Sequence, residues 1–104
     1  MHGRFINIIN SEKPVVVDFY ADWCGPCKQM PPILKEVKSE LKENVRIIKV
    51  NVDKNPAIAT HFQIRSIPTV IIFRNGEPLW TGVGLRPADE ITAVLKQQLN
   101  YSNQ

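Results

Sequence analysis

An α/β domain with a mixed β-sheet flanked by helices is the architecture this sequence predicts, and three features predict it. Val15-Val16-Val17-Asp18-Phe19-Tyr20 is a short, β-branched, apolar run. Runs of that kind form strands buried on both faces, which belong to parallel or mixed sheets covered by helices. Met30, Leu34, Val37 and Leu41 then recur at spacings of four and three, as in an amphipathic helix. Finally, the apolar run Thr69–Arg74 leads straight into Asn75-Gly76, the pair best able to adopt the positive φ angles of a tight hairpin turn.

The elements follow in order. Phe5, Ile6, Ile8 and Ile9 can form a first helix, and residues 15–20 the first strand. Lys35, Lys38, Lys42, Glu36, Glu40 and Glu43 intersperse the Met30–Leu41 helix and read as a solvated face rather than a binding surface. Val45 to Val52 reads as a second strand, and Asn55-Pro56 as the N-cap and first-turn proline of a short helix through Ile58, Ala59 and Phe62. Residues 69–74 are the third strand, and Leu79 to Val83 returns antiparallel beside it. Pro87 opens a last helix whose Ile91, Val94, Leu95 and Leu99 form one face, before a polar tail from Asn100 that is expected to fray. The predicted order is helix or coil, then βαβαββα.

A chain of 104 residues with 43% hydrophobic side chains supports one domain, residues 1–104, around one core. The net charge of +3 comes from interleaved acids and bases, with no basic stripe for a phosphate backbone, so nucleic acid is not expected as a partner. No apolar run approaches the ~20 residues needed to span a bilayer, and the first ten residues lack the pattern of an export signal. The expected setting is cytoplasmic, or periplasmic or exported if a signal has been removed.

The cysteines are Cys24 and Cys27, and a bond between them closes too small a loop to staple a fold. Their placement between a buried strand and a helix start is a redox signal. There, unpaired backbone N–H groups and the positive end of the helix dipole favour the Cys24 thiolate by ~0.3–2 kcal/mol, and Lys28 adds positive charge. The effect matters because a thiol of ordinary pKa, ~8.5, is only about 3% ionised at neutral pH. Two intervening residues let the second sulfur reach the first, and Pro26 limits the chain entropy lost on closure. Cys24 is expected to attack and Cys27 to resolve, the latter lying a turn deeper and less accessible. Two other uses remain open: buried packing, against which Trp23, Gly25 and Pro26 argue, and half of a zinc site, for which His2 and His61 stand far apart.

The segment Val17-Asp18-Phe19-Tyr20-Ala21-Asp22-Trp23-Cys24-Gly25-Pro26-Cys27-Lys28 resembles the thioredoxin family. The resemblance continues through Pro32, Lys49-Val50-Asn51-Val52-Asp53, Asn55-Pro56, Ile64-Arg65-Ser66-Ile67-Pro68-Thr69, Asn75-Gly76 and Val83-Gly84, covering about Pro14 to Leu99. It implies the thioredoxin fold and a protein-disulfide reductase working by dithiol–disulfide exchange. Asp18 is notable on physical grounds alone, because an acid within an apolar strand costs free energy unless it is paired or functional. By similarity it accepts the Cys27 proton, through water, when Cys27 attacks the mixed disulfide. Burial should raise its pKa and Lys49 should lower it, with burial winning. The resemblance also implies a cis Ile67-Pro68 bond beside the dithiol. Around Cys24 it implies a shallow substrate groove of Trp23, Gly25, Pro26, Ile67, Pro68, Val83 and Gly84, where an extended segment pairs with the Ile67 backbone.

The sequence also departs from the family. Tyr20 stands where Trp is frequent, which should alter packing near the dithiol; Pro31-Pro32 doubles a single proline and predicts a sharper kink after Met30. Few residues precede the dithiol, so the family's first strand is expected to be missing or very short. The Val45–Val52 strand then becomes an exposed edge that a dimer contact or a few N-terminal residues could cover.

The expected partners are disulfide-containing proteins and, by resemblance, a flavin- and NADPH-dependent reductase as electron donor. The chain has no Gly-rich nucleotide motif, so no cofactor is expected. A monomer is expected, with a dimer as the alternative. Direction of electron flow rests on potential, and the Gly-Pro insert resembles reducing members. A disulfide oxidase or isomerase, or a non-catalytic binding module on the same fold, are the other readings.

Overall fold

The computed structural model describes residues 2–102, with side chains from residue 3 to residue 99. Eight regular elements follow in order: α1 (His2–Ile9), β1 (Val15–Tyr20), α2 (Met30–Leu41), β2 (Arg46–Asn51), α3 (Pro56–His61), β3 (Thr69–Arg74), β4 (Glu77–Val83) and α4 (Ala88–Ser102). The strands form one sheet in the order β2-β1-β3-β4. β1 runs parallel to β2 and antiparallel to β3, and β3 is antiparallel to β4, so the sheet is mixed. Among the described residues nothing pairs outside β2, which is the edge strand the sequence led us to expect.

Alternation along the central strands builds a core on each face. Val16, Val70 and Ile72 pack against Met30, Leu34 and Val37 of α2 and Ile91 and Leu95 of α4. Val17, Phe19, Ile71 and Phe73 pack on the other face against Phe5 and Ile9 of α1 and Ile58 of α3. The strand period of two therefore puts Asp18 on the face of Val16, beneath α2. Asn75 and Gly76 both take positive φ, 52° and 81°, and close the β3–β4 hairpin. The turn also secures α1, because the Gly76 N–H donates to the Ile9 carbonyl at 3.0 Å and the Asn75 N–H to the Ser11 carbonyl at 2.8 Å.

Several local details differ from expectation. β4 begins at Glu77, opposite Arg74, because the two-residue turn lets pairing start at once; the register then shifts between Ile72 and Phe73. Asn55 precedes α3 without capping it by its side chain. Its Nδ2 instead donates to the Asn51 carbonyl at 3.0 Å, while Asn51 Oδ1 accepts from the Asp53 and Lys54 N–H groups. α4 continues past Asn100 to Ser102 in place of a tail starting there; residues 103–104 lie outside the described residues.

The double proline acts before Met30 rather than after it. Pro26–Gln29 is a 3-10 turn, with Lys28 N–H donating to the Gly25 carbonyl and Met30 N–H to the Cys27 carbonyl. Pro31 and Pro32 have no N–H, so the α-type bonds that would bind the carbonyls of Cys27 and Lys28 cannot form, and the tighter turn takes their place. Met30 itself keeps helical angles, φ −73° and ψ −40°.

Candidate active site

β1 delivers the chain to the site and α2 carries it away. After Tyr20 the backbone folds back, Cys24 N–H donating to the Ala21 carbonyl at 3.2 Å, and Gly25 and Pro26 open the 3-10 turn. Cys24 and Cys27 are joined by a disulfide, with their Cα atoms 5.4 Å apart. The Cys27 N–H points at Cys24 Sγ, 3.2 Å away. In the reduced state the same donor favours negative charge on Cys24, which is the physical basis of a reactive thiolate at a helix start.

Exposure does not separate the two cysteines as expected, since each is 4% exposed. Their surroundings do. Cys24 Sγ lies 3.8 Å from the Ile67 carbonyl, on the side of the cis Ile67-Pro68 bond. Cys27 instead borders a cavity of about 280 Å³ shared with Tyr20, Pro31 and Lys49. Among the described residues no group of three or more His, Cys, Asp or Glu is arranged to hold a metal.

The residues expected around Cys24 divide by position. Trp23 is 71% exposed and Val83 54%, Gly25 and Pro26 are exposed, Ile67 and Gly84 are half-buried, and Pro68 is buried. Ile67 packs on the Ala21, Cys24 and Cys27 cluster. Gly84, at φ 82°, donates its N–H to the Pro68 carbonyl at 2.8 Å, which ties the end of β4 to the Ile67-Pro68 loop. Trp23 is held from below: its Nε1 donates to Asp53 Oδ2 at 2.8 Å. Sequence reasoning assigns Asp53 no role. An acid just past a strand end is the only local signal for it, and that signal is shared by many surface residues.

Asp18 is fully buried, and neither carboxylate oxygen has a hydrogen-bond partner among the described residues. Burial pushes its pKa up from 3.8 to about 6, while the Lys49 ammonium pulls in the opposite direction. Lys49 is its in-register neighbour on β2, and its Nζ also sits over the Tyr20 ring, 4.4 Å from the centroid. Tyr20, at the position where the family often has Trp, thus gives that cation an aromatic face. Asp18 opens onto a second cavity, about 370 Å³, between α2 and β2. Pro31 and Lys49 border both this cavity and the one beside Cys27.

Residues 2–97 match the family model described as Thioredoxin. The chain belongs to the thioredoxin family. It is 46% identical over 84 residues to a thioredoxin of Rickettsia felis, covering 81% of this chain and 80% of the relative. Mitochondrial thioredoxin 3 of Saccharomyces cerevisiae, in its oxidised form, superposes with a TM-score of 0.82 at 31% identity, over 92% of this chain and 89% of that one. A chain from the yeast mitochondrial 1-Cys peroxiredoxin thiol-resolving system, which works via glutathione and thioredoxin, gives 0.81 at 30% identity, over 91% and 88%. With a Cys24–Cys27 pair at bonding distance on this fold, the chain is a protein thiol–disulfide oxidoreductase of the thioredoxin type, a disulfide reductase acting on disulfide-containing proteins. No helix among the described residues is long and apolar enough to cross a membrane.

Proposed function

We propose that this thioredoxin-family chain, acting as a single domain over residues 1–104 and as a monomer, reduces partner disulfides by a two-step exchange in which each site residue has a distinct task. The Cys24 thiolate attacks one sulfur of the partner disulfide in line, and the partner's other sulfur leaves as a thiolate that takes up a proton. Cys27 then loses its proton to Asp18 through water and attacks Cys24 Sγ, releasing the second partner thiol and closing Cys24–Cys27. The partner gains two electrons from the Cys24–Cys27 pair and two protons, one taken from solvent by its first thiolate and one that Cys27 releases and Asp18 passes on.

The observation that carries this reading is the asymmetry around the disulfide. Cys24 Sγ receives the Cys27 N–H and faces the Ile67 carbonyl, whereas Cys27 faces the cavity bordered by Lys49. A carboxyl that titrates near pH 6 is matched to taking and returning a proton near neutrality. Lys49 lowers that pKa against the effect of burial and keeps it in a useful range. Trp23, Gly25, Pro26, Val83 and Gly84 offer apolar and backbone surface to the partner, while Ile67 presents its backbone to an extended segment and Pro68, its carbonyl held by the Gly84 N–H, sets the bend beside it.

Regeneration requires an external donor, and a flavin- and NADPH-dependent reductase is the one we propose. A reducing, cytoplasmic setting suits a pair that must be returned to the dithiol form. Peroxide-reducing enzymes that resolve through a disulfide are one class of substrate, by analogy with the yeast peroxiredoxin system.

The Cys27→Ser variant tests the assignment of the two sulfurs. It should accumulate a mixed disulfide through Cys24 that mass spectrometry detects, whereas Cys24→Ser should capture nothing. Capture through Cys27 in the second variant would reverse the roles. Equilibration of the wild-type pair with glutathione tests direction: a potential near that of strong oxidants would make the chain an oxidase or isomerase.

A further inference from the structure

The outer edge of β2 carries a feature that the exchange reaction does not use. Arg46 N–H donates to the Pro14 carbonyl at 3.0 Å, and Val52 N–H to the Tyr20 carbonyl at 2.8 Å. In a parallel ladder alternate residues direct their peptide groups to the same side. The even-numbered residues of β2 therefore face β1, and Ile47 and Lys49 turn their N–H and C=O groups outward, where the sheet has no further strand among the described residues. Beside this open edge lies the cavity of about 370 Å³, with an apolar wall of Pro31, Leu34 and Ile47 and a rim of Lys35, Lys38, Arg46 and Lys49.

The rim is cationic and uncompensated at its surface. Lys35 and Arg46 are exposed, and the ion pairs among the described residues, Arg86–Glu90 and Lys96–Glu40, involve neither. Lys38 Nζ donates to the Val45 carbonyl at 2.6 Å, which anchors that cation at the start of the edge. The one acid on the cavity wall, Asp18, is fully buried.

We propose that this edge docks an extended acidic segment of a partner protein, which adds as a fifth strand on Ile47 and Lys49, sets its carboxylates against Lys35, Lys38, Arg46 and Lys49, and places an apolar side chain in the cavity. Strand addition supplies main-chain bonds, and alternate side chains supply selectivity. Charge decides against a second copy: pairing two β2 edges would bring Lys35, Arg46 and Lys49 of both chains together, in a protein whose net charge is already +3. An acidic strand turns the same charges into attraction.

The probe is a short synthetic peptide in which Glu alternates with Val, titrated into the isotopically labelled oxidised protein and followed by amide NMR. Saturable shifts should centre on Ile47 and Lys49, and added salt should weaken them. A peptide N-methylated on every residue, which has no N–H left to give the edge, should not bind. The double variant Lys35→Glu with Arg46→Glu should lose about tenfold in affinity while its circular dichroism and its rate of reducing a disulfide-bonded protein stay unchanged. Shifts centred on Trp23 and Gly84, equal binding of the N-methylated peptide, or no shift at millimolar peptide would overturn the proposal; in the last case the cations serve only to keep the edge from pairing. A concentration-dependent dimer strengthened by the charge reversal would overturn it in favour of a second copy.

Discussion

Removing the charge of Asp18 should stabilise this protein at neutral pH and leave it unchanged in acid. The carboxyl titrates at about 6 in the folded chain against 3.8 for the ordinary group, because burial opposes ionisation more strongly than Lys49 favours it. The native state therefore holds a proton that the unfolded state has released throughout the interval between those values, and stability falls as pH rises across it. A tenfold change in proton affinity corresponds to ~1.36 kcal/mol, so the rise from 3.8 to about 6 places a penalty of about 3 kcal/mol on the native state above pH 6, and none below 3.8. The Asp18→Asn variant keeps the shape and cannot ionise. Denaturant unfolding of both proteins in the disulfide form, where the cysteines do not titrate, isolates the effect. The stability difference, variant minus wild type, should rise by about 3 kcal/mol from about pH 3.5 to about pH 8, with its midpoint near pH ~5. A difference that stays flat with pH, or that moves toward the wild type as pH rises, would refute the claim that the folded chain disfavours the Asp18 carboxylate.

Lys49→Met removes the cation that opposes burial, so the Asp18 pKa should climb above 6 and the loss of stability should extend to higher pH, read by carbon NMR of the Asp18 carboxyl. Phe73→Ala should cost about 3–5 kcal/mol in denaturant unfolding, because the ring is fully buried and meets Phe5 and Phe62 edge-on at centroid distances of 6.1 and 5.1 Å. Trp23→Ala should leave stability within about 0.5 kcal/mol, since the indole is 71% exposed. It should raise KM for a protein disulfide several-fold while turnover of a small disulfide such as oxidised glutathione stays the same.

Much of this architecture is legible along the chain because it is locally encoded. The strands at 15–20 and 69–74 appear over the residues whose composition marks them, and Asn75-Gly76 closes the hairpin with both residues at positive φ. The Cys24–Cys27 pair and its position after a buried strand carry their own meaning, and an acid flanked by Val17 and Phe19 advertises that it is buried. Features that depend on competition between neighbouring groups are less legible. Asn55 has the identity of a helix cap, yet its side chain goes to the Asn51 carbonyl because the β2–α3 turn brings that acceptor within reach. The two prolines after Met30 signal a disturbed helix, but which carbonyls lose their donors, and so where the turn tightens, follows only when the register of the helix is known.

The site divides along the same line. Residue order alone determined the fold class, the dithiol and its family, because each is written in spacings of a few residues that elementary stereochemistry converts into strands, helices and a closable ring. The tertiary structure supplied what long-range contact makes: Lys49 beside Asp18 across the β1–β2 register and Ile67 against Cys24, both of which the family resemblance led us to expect, and Asp53 against Trp23 and the lysines of α2 gathered with Arg46 at an open sheet edge, which residue order did not signal. Some of those meetings join residues 30 and 43 positions apart in the sequence, and chain pattern carries no record of which distant neighbours packing will bring together.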